Sequence, residues 1–357
     1  MILRFKTVII TLICFLFGMA VLMFSPFVRR GIANGIDVCI TTVIPSLFLF
    51  SCVSCFAVKS GICYNIGKAF DKFSKPLFNL SGEEFAVFLF SCVSGYPVGA
   101  SLVTELYKSG RISQNKAVLM TNFCVAAGPA FILVAVGEIS LGSRSDGQRL
   151  LAAHVISSVL LAIIFGVYSR FSKTDTDKSI GLKPFSLTPQ STTALFVDSV
   201  TEASKNIFKI CGFVVAFGGI GGMVSADNLP VSPFFANLVR ALLEVTVGID
   251  LFGRGRLALL AFLLGFGGIS VHFQVLSVTR ALKIKYFPFV CSRLVHGVCS
   301  AFVIAVFEKN LPRSIDTLAQ SNTSPEINGS PFSVAALLLM GITLIVYSKR
   351  QRRISAK

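Results

Sequence analysis

Charge is what this sequence has least of. Only 14% of its 357 residues are Asp, Glu, Lys or Arg, against 54% hydrophobic residues and a mean hydropathy of +0.76. That balance excludes an ordinary soluble domain and points to a polytopic membrane protein. Acidic residues are the scarcer sign, 17 against 33 basic, for a net charge of +16. The excess does not mark nucleic-acid binding, because Lys and Arg sit in short clusters between apolar runs and at the C-terminus. Such clusters set membrane topology. Lys349-Arg350-Gln351-Arg352-Arg353 directly follows an apolar run and belongs in the cytoplasm, against anionic lipid.

The motifs that carry chemistry are missing as well. No Walker motif, Rossmann fingerprint, zinc-protease motif or G-x-S-x-G elbow stands in a proper context, so neither enzymatic activity nor a cofactor is expected. Without an ATP-hydrolysing domain, any transport is passive or coupled to an ion gradient. Ten cysteines are present, most of them inside apolar segments, where they read as small packing residues. Cys52 and Cys55 have CxxC spacing, but no second pair or His ligand follows, so no metal is expected. No small-x-small cleavage site precedes Arg29-Arg30, and the first apolar run, residues 8–28, reads as a retained span.

The chain then divides into an N-terminal anchor (1–30), a first membrane repeat (31–171), a polar linker (172–193), a second repeat (194–347) and a basic cytoplasmic tail (348–357). Pro45 should kink the second apolar run, 35–58. Residues 60–80, with Lys68, Asp71, Lys72 and Lys75 among apolar positions, fit a surface amphipathic helix or a re-entrant segment. Residues 83–107 contain Ser94-Gly95-Tyr96-Pro97-Val98-Gly99-Ala100, in which two glycines and a proline should break a helix at mid-membrane depth. The plainer alternative is a proline kink.

Lipid cannot satisfy freed backbone groups, so a break belongs inside protein or beside a wet cavity. Further breaks are expected at Gly128-Pro129 and at Gly265-Phe266-Gly267-Gly268. A shift of 172 positions lays Gly267 on Gly95 and suggests a repeat, with parallel or inverted orientation left open. Residues 194–206 read as a surface amphipathic helix, and 207–226 as a separate Gly-rich span. The expected fold is all-α and polytopic, two repeated helical halves with broken or re-entrant helices, and roughly eight to ten spans.

Several motifs agree in order: Pro45-Ser46-Leu47, the Ser94 to Ala100 stretch, Ala127-Gly128-Pro129, Leu243-Glu244-Val245-Thr246, Gly265 through His272, and Arg293-Leu294-Val295-His296-Gly297. Together, over residues 31–307, they resemble the YlbJ-like sporulation integral membrane proteins of the nucleoside-recognition (Gate) group, related to parts of nucleoside permeases and of the ferrous iron transporter FeoB. The resemblance implies a protein of the cell membrane, needed for spore formation, with transport-like architecture. Where the family pattern carries Asn, this chain has Val125, Ala126 and Val247. Nucleoside binding is the implication most weakened.

The candidate solute-binding residues are Ser94, Tyr96, Asn122, Gly128, Glu244, Thr246, Ser270, His272 and Gln274. Glu244 leads, because a carboxylate in an apolar run faces a partner or a cavity; its alternative is an interfacial pair with Arg240. His272 and Gln274 either read a solute or bond freed carbonyls. Asn122 lines a site or cross-links helices. His154 and His296 read as packing residues, and Arg293 as a snorkelling side chain near the cytoplasmic end. Two functions follow: a permease or channel component for a small polar solute, or a non-transporting component of the forespore membrane that retains the fold. Anionic lipid at the tail, a small polar solute and, as an option, a homo-oligomeric partner are the associations expected; nucleic acid is not.

Overall fold

A computed structural model describes residues 2–171, 191–224, 230–252 and 256–310. Most of the polar linker, the last apolar run and the basic tail lie outside the described residues. Every described element is helical. The chain runs through α1 (Ile2–Met23), α2 (Ser25–Val38), α3 (Ile44–Lys59), α4 (Ile62–Phe78), α5 (Gly82–Ser94), α6 (Val98–Lys108) and α7 (Gln114–Thr121). A π-helical segment, Phe131–Ser140, leads into α8 (Arg144–Phe171). Then come α9 (Thr192–Met223), α10 (Pro233–Leu243), α11 (Val245–Phe252), α12 (Leu257–Phe266), α13 (Gly268–Val278) and α14 (Tyr286–Asn310).

Six helices among the described residues are long and apolar enough to cross a membrane, or seven if the bent pair α4 and α5 counts as one span. The eight to ten spans expected included the last apolar run, which lies outside the described residues; within them, several apolar stretches are cut into helices too short to span about 30 Å. Pro45 has no N–H for the carbonyl one turn earlier, and the run Ser25–Lys59 absorbs this as a π-helical turn, Cys39–Val43, rather than a stop. Helix α4 meets α5 at 86°, in keeping with the surface or re-entrant reading of residues 60–80. Ser81 ends α4's turn and starts α5 with a capping box: its hydroxyl accepts from Glu84 N–H, and the Glu84 carboxylate accepts from Ser81 N–H at 2.7 Å. Phe70, Phe73 and Phe78 then close on Phe85, with ring centroids 5.0–5.8 Å apart.

Residues 192–223 form one continuous helix of 32 residues, so the expected surface helix and the span after it are a single element. Its Gly218 and Gly222 face Gly31 and Phe27 of α2. A methyl group on Gly31 would stand 2.1 Å from the Gly218 carbonyl oxygen, so only hydrogen lets the two backbones meet. In lipid this close approach substitutes for the hydrophobic driving force available in water.

Two of the interruptions are hairpins. At residues 95–97 the chain reverses between α5 and α6, and a Cβ on Gly99 would lie 2.5 Å from the Cβ of Ser91. The non-helical part is three residues, narrower than the 94–100 stretch expected, because Val98 already starts α6. Glu83 at the start of α5 pairs with Arg111 beyond α6, so both ends of this hairpin lie side by side. At Glu244, whose backbone is extended (φ −140°, ψ 114°), α10 folds back onto α11; a Cβ on Gly248 would sit 2.7 Å from that of Ala241. The other two interruptions let the chain pass through: residues 122–128 between α7 and the π-helical segment, and Gly267 (φ +86°) between α12 and α13.

The hairpins enter from opposite ends of the bundle. Gln114, just after the first hairpin, donates to the Leu282 carbonyl, which sets the basic connection after α6 (Lys108, Arg111, Lys116) beside the one after α13 (Arg280, Lys283, Lys285). Ser140, at the far end of the through-going segment, donates to Ile249 in the second hairpin. Gly95-Tyr96-Pro97 and Glu244 thus stand at hairpin tips, whereas Gly267 and residues 122–128 let the chain continue.

Candidate functional site

The two hairpin tips meet. Tyr96 from the first, and Glu244, Val245 and Thr246 from the second, line a cavity of about 30 Å³ together with Ser46 and Gln274. Tyr96 reaches it because Gly95 adopts φ +78°, and because that tip packs on the extended segment: a Cβ on Gly95 would lie 3.1 Å from Gly128 N. The Tyr96–Pro97 peptide bond is cis. Glu244 is 2% exposed and Tyr96 9%. Thr246 donates to Glu244 Oε1 from its backbone N–H (3.2 Å) and its hydroxyl (3.1 Å). Ser270 accepts from Gln274 Nε2 at 3.1 Å. Glu244 Oε2 and the Tyr96 hydroxyl have no hydrogen-bond partner.

Glu244 also borders a second cavity of about 360 Å³, lined by Asn34 and Asp37 of α2, Gly218 of α9, and Arg240 and Thr246. The two spaces share Val214, Glu244 and Thr246. Arg240 forms no ion pair with Glu244: the described ion pairs lie elsewhere, and Arg240 Nε is without a hydrogen-bond partner. The interfacial-pair reading of Glu244 thus has no counterpart in the geometry.

Of the nine residues singled out in sequence, Tyr96, Gly128, Glu244, Thr246 and Gln274 line the small cavity, and Ser270 stands behind Glu244. The remaining three turn elsewhere. Ser94 is tied to the Ser54 hydroxyl and the Phe90 carbonyl. Asn122 bonds back to the Val118 and Leu119 carbonyls of its own helix. His272 Nε2 donates to the Phe266 carbonyl freed at the Gly267 interruption (2.9 Å), and its ring packs on Phe266 and Phe289.

Arg293 overturns its reading as a snorkelling side chain. It is 1% exposed, deep in the bundle, and its guanidinium forks onto the carbonyls of Val125 (2.5 Å) and Asn122. His154 Nε2 accepts from Ala127 N–H at 2.8 Å. His296 takes a contact from Arg293 at Nδ1 and reaches the Ser158 hydroxyl and the His154 carbonyl at Nε2. These side chains serve the backbone of the extended segment, which no helix satisfies. The signal was available: a charge well inside an apolar run is costly for Arg as for Glu. Asn34 and Asp37 were missed for a different reason, since only the crossing of α2, α9 and the second hairpin brings them beside Arg240 and Glu244.

Against known proteins, no family model and no solved structure matches. The chain is 25% identical over 314 residues to the sporulation integral membrane protein YlbJ of Bacillus subtilis strain 168, covering 78% of this chain and 77% of that protein. This likeness to an integral membrane protein and the six described helices long and apolar enough to cross a membrane identify the chain as a multi-pass integral membrane protein similar to YlbJ.

Proposed function

We propose that the protein is a permease or channel component that moves a small polar solute across a membrane during spore formation. The observation that carries this reading is the meeting of two oppositely entering hairpin tips, Tyr96 and Glu244, over a cavity at which both hold unpartnered polar atoms. Backbone without helical partners is tolerated at membrane depth only in protein or against water, and transporters place their sites at such interruptions. The adjoining cavity of about 360 Å³ is in the range of small-molecule sites, roughly 300–1,000 Å³. Asn34, Asp37 and Arg240 give it polar contacts. Sporulation comes from the name of the Bacillus relative. No chemistry on the solute is part of the proposal, and a gradient supplies the driving force.

The test is solute content. Spores formed with and without the protein, and vesicles with and without the purified chain, are compared for small polar solutes. A solute that falls in the spores and equilibrates faster into protein-bearing vesicles supports transport. Unchanged content in both rules it out.

The second reading is a membrane scaffold that retains the fold. Val125 and Ala126 favour it, because they place apolar side chains on the buried extended segment whose backbone Arg293 and His154 already occupy. It expects failed spore assembly with unaltered solute content in the forespores that do form.

A further inference from the structure

We propose that the small cavity between Tyr96 and Glu244 binds one monovalent metal cation, with sodium as the first choice. The site is the one used in the transport reading, and in that setting the ion would be the coupling ion; binding itself does not depend on a solute moving. A carboxylate this far from water requires a counter-charge or neutralisation. The described residues offer none: no Lys, Arg or His among them forms an ion pair with Glu244, and Arg293 is committed to two backbone carbonyls. Glu244 and Tyr96 both line the cavity, and one Glu244 oxygen and the Tyr96 hydroxyl are buried without partners.

The surrounding donors fit a hard cation. Ser46, Tyr96, Thr246 and Gln274 add neutral oxygens around a single carboxylate, so the set balances one positive charge. No group of three or more His, Cys, Asp or Glu side chains suited to a metal ion occurs among the described residues, which sets aside transition-metal and acid-rich calcium chemistry. The volume of about 30 Å³ holds a dehydrated ion with a water but not an organic solute.

The full-length protein is purified in detergent without potassium or sodium, and thermal unfolding is followed in choline, lithium, sodium and potassium chloride at constant ionic strength. Binding of radioactive sodium is measured on the same samples. Expected is saturable sodium binding with a rise in unfolding temperature over choline. Glu244→Gln and Tyr96→Phe should each weaken it about tenfold or more, and the control Glu138→Gln, half-exposed on the surface, should not. If wild-type protein that elutes as a single species treats the alkali cations and choline alike, the carboxyl carries a proton instead and the proposal is overturned. Sodium binding retained in Glu244→Gln overturns it equally. Failure of the transport reading shows differently, as intact sodium binding with no solute movement.

Discussion

Tyr96 and Glu244 stand at the tips of two helical hairpins that enter the bundle from opposite ends, and each holds a buried polar atom without a partner at one cavity. The arrangement is costly to keep. Burying such groups is unfavourable by about 1–3 kcal/mol each, more for a charged group. Packing alone would have favoured Phe and Gln, and the positions of both residues at backbone interruptions link that cost to a site.

Glu244→Gln should abolish solute movement while membrane abundance stays at the wild-type level. The amide keeps the shape and can still accept from Thr246, but it loses the charge. Uptake into vesicles, normalised to immunoblotted protein, is the measurement. An equal fall in both quantities assigns Glu244 to folding.

The hairpin geometry makes a topological prediction. A short hydrophilic tag inserted at Gly110 and one at Lys283 should be accessible from the same face of the membrane, and a tag at Gly142 from the opposite face. Basic residues at Lys108, Arg111, Lys283 and Lys285 put the first face in the cytoplasm. Protease protection in right-side-out and inverted vesicles decides it, and all three tags on one face would refute opposed hairpins.

Much of this was legible in the sequence where a residue constrains its own backbone. Gly95 and Pro97 announce a break locally, and Lys68 to Lys75 announce a surface helix by period. What the chain does after a break is not local. Gly95-Tyr96-Pro97 reverses it whereas Gly267 lets it continue, and the difference lies in neighbours such as Gly128 and Leu47. No helix breaker beside Glu244 announces the turn there, which goes with the packing of Gly248 on Ala241 and of Gly268 on Val245. Arg293 looked peripheral because its partners are carbonyls 168 and 171 residues away.

Helix packing predicts a contrast between two glycines. Gly31→Ala should lower stability by about 1–3 kcal/mol, because its methyl group overlaps the Gly218 carbonyl and α2 must move off α9. Gly212→Ala, on α9 with nothing within 4 Å of the added carbon, should be neutral or stabilising by up to about 1 kcal/mol. Thermal unfolding of the purified variants reads both, and equal behaviour would show that the α2–α9 contact is looser than drawn.

Arg293 supplies the last prediction. Its guanidinium satisfies two carbonyls of the extended segment at once, and Gly128 at the end of that segment and Phe131 just beyond it line the cavity. Arg293→Met keeps the length of the side chain but leaves both carbonyls without donors, at about 1–3 kcal/mol each. Arg293→Lys retains the charge but loses the planar fork, so one ammonium has to serve two acceptors that the guanidinium reaches in parallel. The expected order of unfolding temperature is therefore wild type, then Lys, then Met. His154→Ala removes the acceptor for Ala127 N–H on the same segment, and its loss should combine with that of Arg293 less than additively, since either change frees the extended segment. If Arg293→Met unfolds at the wild-type temperature, water already satisfies those carbonyls, and the extended segment borders a wet space rather than a dry clamp.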